Sequence, residues 1–186
     1  MPHFGEHWDD NEFPLAYLIT IRTYGTWLHG DERGSVDTQS RYNVYGAVRR
    51  PRDRGLQKRM EENLSGRTVA FNREQRISVE AAIREVCANR TYPLHALSVR
   101  SNHSHAVVSA LCKPEPVANA FKSYATRALR EAGLISPDSR VWSRGRSRRY
   151  LWDDRSVAAA IDYVLYCQGD EEFEEYFRTW GNEKAG

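Results

Sequence analysis

The spacing of apolar and polar residues changes several times along the chain, and each change predicts an element. Leu15 to Arg22 (LAYLITIR) is rich in β-branched and aromatic residues and reads as a buried strand. Asn72 followed by Gln75 has the form of a capping box. Behind it Val79, Ala82, Ile83 and Val86 fall at helical spacing, which predicts a helix over about 73–89. Residues 93–100 (PLHALSVR) and 103–110 (HSHAVVSA) read as two strands of an antiparallel hairpin. The Ser101-Asn102 pair between them suits a tight turn because asparagine tolerates positive φ. Pro114 and Pro116 suit the first turn of a helix over about 115–132, and Gly133 suits its C-terminal cap. The apolar stripe of that helix is Val117, Phe121, Ala125, Ala128 and Ala132. After the extended stretch VWSRGRSRRYLW, a last helix is expected from Asp154, as its cap, to Gln168. Its buried face is expected to be Val157, Ile161, Val164 and Leu165.

Strand, helix, strand, strand, helix, extended segment, helix is the order of the ferredoxin-like α+β class, an antiparallel sheet with helices packed on it. Residues 1–186 are read as a single domain, a length that supports one sizeable core. Within it, residues 30–71 carry six glycines and prolines with little periodicity and are expected to be an irregular insertion. Hydrophobic content of 40% and charged content of 28% match a soluble globule. No apolar run approaches the roughly 20 residues that span a bilayer, and the acidic N-terminus lacks a signal pattern, so a cytoplasmic protein without membrane contact is expected. Cys87, Cys112 and Cys167 are far apart and include no CxxC pair, which suggests neither a disulfide framework nor a thiolate zinc site.

A net charge of +2 conceals a segregated distribution. Six basic residues crowd Arg49–Arg59 against the single acid Asp53, and five arginines fall between Arg140 and Arg149 with no acid, whereas the acids gather near the two ends. Arginine clusters neutralise phosphates and release counterions, the source of sequence-independent nucleic-acid affinity; they are also common on solvated loops.

The chemistry centres on NHSHAVVSA, residues 102–110. In a strand, His103 and His105 leave one face while Ser104 and Ala106 leave the other. Imidazoles about 7 Å apart along a strand can converge on one divalent ion. Tyr124, in NAFKSYATRALREAG, is the candidate partner, with Lys122 and Arg127 beside it to favour the phenolate. A tyrosine hydroxyl is a weak nucleophile until activated, and Tyr124 also reads as a tyrosine at the margin of the helix's apolar stripe.

These motifs, in this order, resemble the HUH single-tyrosine transposases, nearest to the REP-associated tyrosine transposases and their insertion-sequence relatives. The resemblance runs from LAYLITIRTYGTWLHGD through NHSHAVVSA and AFKSYATRALREAGL to VWSRGRSRRYLWDDRSVAAAIDYVLYCQG. It implies His103 and His105 as ligands of Mg²⁺ or Mn²⁺, with Ser104 standing where the family more often has a bulky hydrophobic residue. It implies Tyr124 as the nucleophile that cuts single-stranded DNA, leaving a 5′-phosphotyrosine link and a 3′-hydroxyl. Where some relatives add a polar metal ligand one turn after the tyrosine, this chain has Ala128; His29 and Asp31 are candidates to supply the third ligand. The expected substrate is single-stranded DNA with a hairpin. It would be gripped by Lys122, Arg127, Arg144, Arg146, Arg148 and Arg149, with Trp142 and Trp152 stacking on unpaired bases. Both a monomer and a homodimer with exchanged tyrosine helices occur among relatives. Two other classes also fit the residues: a domesticated hairpin-binding protein without catalysis, and a metal-dependent nuclease that uses activated water.

Overall fold

The structure, a computed structural model, describes residues 13–26, 53–64 and 66–166. Its elements are β1 (Ala16–Thr23), α1 (Arg54–Glu62), α2 (Arg73–Asn89), β2 (Leu94–Val99), β3 (His103–Val108), α3 (Pro114–Glu131), β4 (Trp142–Leu151) and α4 (Asp154–Tyr166). The strands form one antiparallel sheet in the order β2-β3-β1-β4. With α2 and α3 as crossovers, this is the ferredoxin-like α+β arrangement that the element order predicts. Among the described residues no helix is long and apolar enough to cross a membrane.

The segment expected to be irregular contains a helix. In α1 the sequence RGLQKRMEE offers only Leu56 and Met60 as apolar positions, too few for periodicity to reveal it. Its first turn is held by Asp53, whose Oδ1 accepts from the Leu56 amide at 2.9 Å. Residues 27–52, with His29 and Asp31, lie outside the described residues.

Strand alternation divides the interior into two layers. Tyr17, Ile19 and Ile21 of β1 and Ala106 and Val108 of β3 face α2 and α3, where Val79, Ile83, Val86, Val117, Phe121 and Leu129 complete the main core. Leu18 of β1, Val107 of β3 and Ala96 of β2 face the other way, against Ala159, Ala160, Tyr163 and Val164 of α4. Each fully buried large apolar side chain contributes about 1.5–3 kcal/mol. The first layer holds most of them and dominates stability.

The helix ends follow their sequence signals. Asn72 and Gln75 bond reciprocally at 2.9 Å in a complete capping box. After α3, Leu134 donates to the Leu129 carbonyl and Gly133 to that of Arg130, with Gly133 at φ +65°, a Schellman motif. The cap of α4 is Asp153 rather than Asp154: its Oδ1 accepts from the Ser156 amide at 2.8 Å. The Ser101-Asn102 turn does not use positive φ, which among described non-glycine residues only Thr91 adopts. The Asn102 carbonyl instead accepts from the Thr23 amide (2.9 Å), Thr23 Oγ1 (3.0 Å) and Thr26 Oγ1 (3.3 Å), fastening the hairpin to the end of β1.

Ser104, between the two histidines, points into the main core at 2% exposure, and its hydroxyl meets no hydrogen-bond partner among the described residues. An orphaned buried hydroxyl costs about 1–3 kcal/mol. Ser104→Ala is therefore expected to raise the thermal midpoint, whereas Asn72→Ala, which breaks the capping box, should cost about 1 kcal/mol. Circular dichroism melting of the two variants checks both signs.

Candidate functional site

Both imidazoles leave β3 on the α4 side of the sheet, T-shaped to one another with ring centroids 4.6 Å apart. Each is oriented by a neighbour. His103 Nδ1 lies 2.7 Å from Asn102 Oδ1, an acceptor that requires the proton on Nδ1 and leaves the lone pair on Nε2. His105 Nδ1 lies 2.8 Å from the Thr20 hydroxyl, directly across the β1–β3 pair. The Thr20 hydroxyl can donate or accept, so Nε2 of His105 carries a lone pair when Nδ1 holds the proton. Desolvation by burial, aided by His103, Arg22 and Arg100, pushes the His105 pKa down to about 3. The ring is neutral at physiological pH, the protonation state a metal ligand needs.

Tyr124 is not beside this pair. Helix α3 covers the opposite face of the sheet, so the whole β-layer separates the Tyr124 phenol from the histidines. Tyr124 packs against the edge of the main core, with the Arg127 guanidinium 4.5 Å over its ring and Arg90 interacting with it from the end of α2. The phenol that does reach the pair is that of Tyr163, on α4, whose ring is T-shaped to His105 at a centroid distance of 5.6 Å. The buried face of α4 is rotated from the one that apolar spacing predicts, and the rotation brings Tyr163 inward. Ser156, Ala159, Ala160, Tyr163 and Val164 are buried, while Leu165 is exposed. The signal lay in the small residues: Ala159 and Ala160 let α4 approach the sheet closely, and Tyr163 is the next residue down that stripe.

The residues expected to bind nucleic acid do not form one surface. Lys122 donates to the Ser143 and Gly145 carbonyls at 2.9 and 3.0 Å, tying α3 to β4. Trp142 is buried, edge-on to Phe71 at 5.4 Å, and its indole N–H donates to the Lys122 carbonyl and to Thr126 Oγ1, both at 3.1 Å. It is a core anchor and cannot stack on bases. Arg127 pairs with Glu85 and Glu131, and Arg148 pairs with Glu115 at 2.8 Å, all on the α3 side. Trp152 stacks on Tyr150 and stays half exposed, and Arg144 is exposed. Arg146 pairs through its backbone with Ile21. Arg149 alone of the predicted cations is placed by register on the histidine face, opposite Leu18. Charges along β4, an edge strand, also discourage pairing with a further strand.

No protein-family model and no curated protein matches the chain. Among solved structures it is similar to a REP-associated tyrosine transposase bound to a REP hairpin, with a TM-score of 0.45 and 11% identity over 86% of this chain and 70% of that one. It is also similar to a candidate transposase from Deinococcus radiodurans R1, with a TM-score of 0.46 and 12% identity over 86% of this chain and 93% of that one. Both likenesses are distant.

No group of three or more His, Cys, Asp or Glu side chains that could hold a metal occurs among the described residues, so the pair offers two nitrogen donors. The acid response of the fold follows from His105. Folded, this ring stays neutral down to about pH 3; unfolded, it takes up a proton near pH 6.5. Between those values the unfolded chain binds the extra proton, so the stability tied to His105 is present above about pH 6.5 and is lost as pH falls toward 3. His105→Asn is expected to flatten the fall in denaturation midpoint between about pH 6.5 and 4, measured by urea titration at each pH.

Proposed function

We propose that the chain is a metal-dependent DNA strand transferase acting on single-stranded DNA that carries a hairpin, with Tyr163 in place of Tyr124 as the nucleophile. The observation that supports this reading is the edge-on contact of the Tyr163 ring with His105, which joins a phenol and two oriented imidazoles on one face. The donor set suits a divalent ion: Nδ1 of each ring contacts a neighbouring oxygen, and His103 and His105 would hold the ion through Nε2. Two nitrogen donors suit Mn²⁺ better than the harder Mg²⁺. The ion, when bound, polarises the scissile phosphate and orients it.

The remaining steps belong to the chain's own residues. Thr20 and Asn102 hold the imidazoles in register. Tyr163 loses its hydroxyl proton and attacks phosphorus, the bond from phosphorus to the 3′ oxygen breaks, and that oxygen takes a proton to leave as a 3′-hydroxyl. The 5′-phosphate stays on the tyrosine, and reversal of the same exchange rejoins a strand without an external energy source. His105, neutral down to about pH 3, serves as a ligand and not as a proton donor. The phenol comes from the same chain as the histidines, so cleavage needs no exchange of helices between subunits.

One observation favours a second reading. Tyr163 is only 8% exposed, which suits hydrolysis by an activated water with the ring as a wall of the site. Incubation of the full chain with labelled hairpin oligonucleotides and Mn²⁺, followed by denaturing electrophoresis, separates the two. Strand transfer predicts a protein-linked product that disappears in Tyr163→Phe and in His103→Ala and persists in Tyr124→Phe. Hydrolysis predicts cleavage without adduct that survives Tyr163→Phe, and absence of any metal-dependent product sinks both.

A further inference from the structure

The histidine face carries two arginines that none of the motifs singles out. Arg22 lies on the α4 side of β1, after Leu18 and Thr20, and the β1–β3 register sets it directly opposite His103. Arg100 follows β2 on the same side as Ala96 and Ser98, and its amide donates to the His103 carbonyl at 2.8 Å, so it flanks His103 from the other edge. Arg22, His103 and Arg100 therefore form one row across three strands, on the face that also holds His105 and Tyr163. Adjacent strands lie about 4.8 Å apart, so the two arginine backbones stand about 10 Å apart with the imidazole between them. That gap suits two guanidinium forks closing on an anion seated over His103.

We propose that Arg22 and Arg100 are the two prongs of a phosphate clamp that grips the backbone of single-stranded DNA on either side of His103. The inference rests on the strand-transfer reading for its choice of ligand, a phosphodiester brought to the histidine face. Both side chains are half buried, so neither is a freely solvated surface charge. The register thus sets two guanidinium-bearing positions on either side of one imidazole, on a single face of the sheet. The fork geometry of arginine takes two phosphate oxygens at once, which fixes the phosphate's orientation as well as its position.

The test is binding of the full chain to fluorescein-labelled oligothymidylate, followed by anisotropy in EDTA across a salt series, so that neither metal nor cleavage enters. Neutralising a phosphate contact on a single strand lowers the slope of log affinity against log salt by about 0.7. Arg22→Gln and Arg100→Gln are each expected to lower the slope by that amount and to weaken binding several-fold, with the double variant roughly additive. Arg84→Gln, on α2 and paired with Glu80 on the far side of the sheet, should leave the slope unchanged. If Arg22→Gln fails to fold by circular dichroism, Arg22→Lys, expected to keep the slope, and Arg100→Gln, expected to lower it, carry the test. Folded variants with the wild-type slope, or a wild type without salt-dependent binding, overturn the clamp. An adduct on Tyr163 with unchanged slopes would leave strand transfer standing and remove the clamp; reduced slopes with no adduct would do the reverse.

Discussion

The pairing of β1 with β3 is the constraint on which the site depends. Thr20 stands opposite His105 and Arg22 opposite His103, so one antiparallel register sets a hydroxyl beside one imidazole and a guanidinium beside the other. The same register sends Tyr17, Ile19 and Ile21 toward α2 and α3, together with Ala106 and Val108. Core and chemistry are thus two faces of one ladder. The main hydrophobic layer holds the strands in place, and the strands hold the histidines.

This division of labour explains why the two tyrosines have different fates. Helices α2 and α3 are the crossovers of the sheet and close its apolar side, so a phenol on α3 is committed to packing there. Helix α4 comes after the last strand and lies on the other side, where alanines allow a close approach and Tyr163 meets His105. The arginines and tryptophans of α3 and β4 divide in a similar way. Lys122, Trp142 and Arg148 bind β4 to α3, while on the histidine face Arg149 of β4 is joined by Arg22 of β1 and by Arg100, which follows β2.

Much of the fold is legible in the residues. The capping box at Asn72, the prolines opening α3, Gly133 closing it, the β-branched and aromatic run in LAYLITIR and the parity of HSHAVV are local signals whose physical meaning survives tertiary packing. Parity along β3 likewise places both imidazoles on one side. What local pattern does not contain is which helix covers which face. The distance of Tyr124 along the chain from the histidines says nothing about the sheet between them, and only the crossover topology separates the two. The buried stripe of α4 departs from the apolar spacing because size helps select its contact face: alanines and a serine pack inward while Leu165 is left outside. The short helix α1 has too few apolar positions to announce itself.

The knot of donors on the Asn102 carbonyl has a consequence for how this chain tolerates change in length. Because His103 and His105 leave one face of β3 and Ser104, Ala106 and Val108 the other, sliding the hairpin by a single position would bury both histidines among the oily residues of α2 and α3 and turn Ala106 and Val108 toward α4. Thr23 and Thr26 clasp the hairpin at its tip and forbid that slide. One added or lost residue between Arg100 and His103 would exchange the two faces of the strand, so this turn is the place where descendants of the sequence are least able to vary in length.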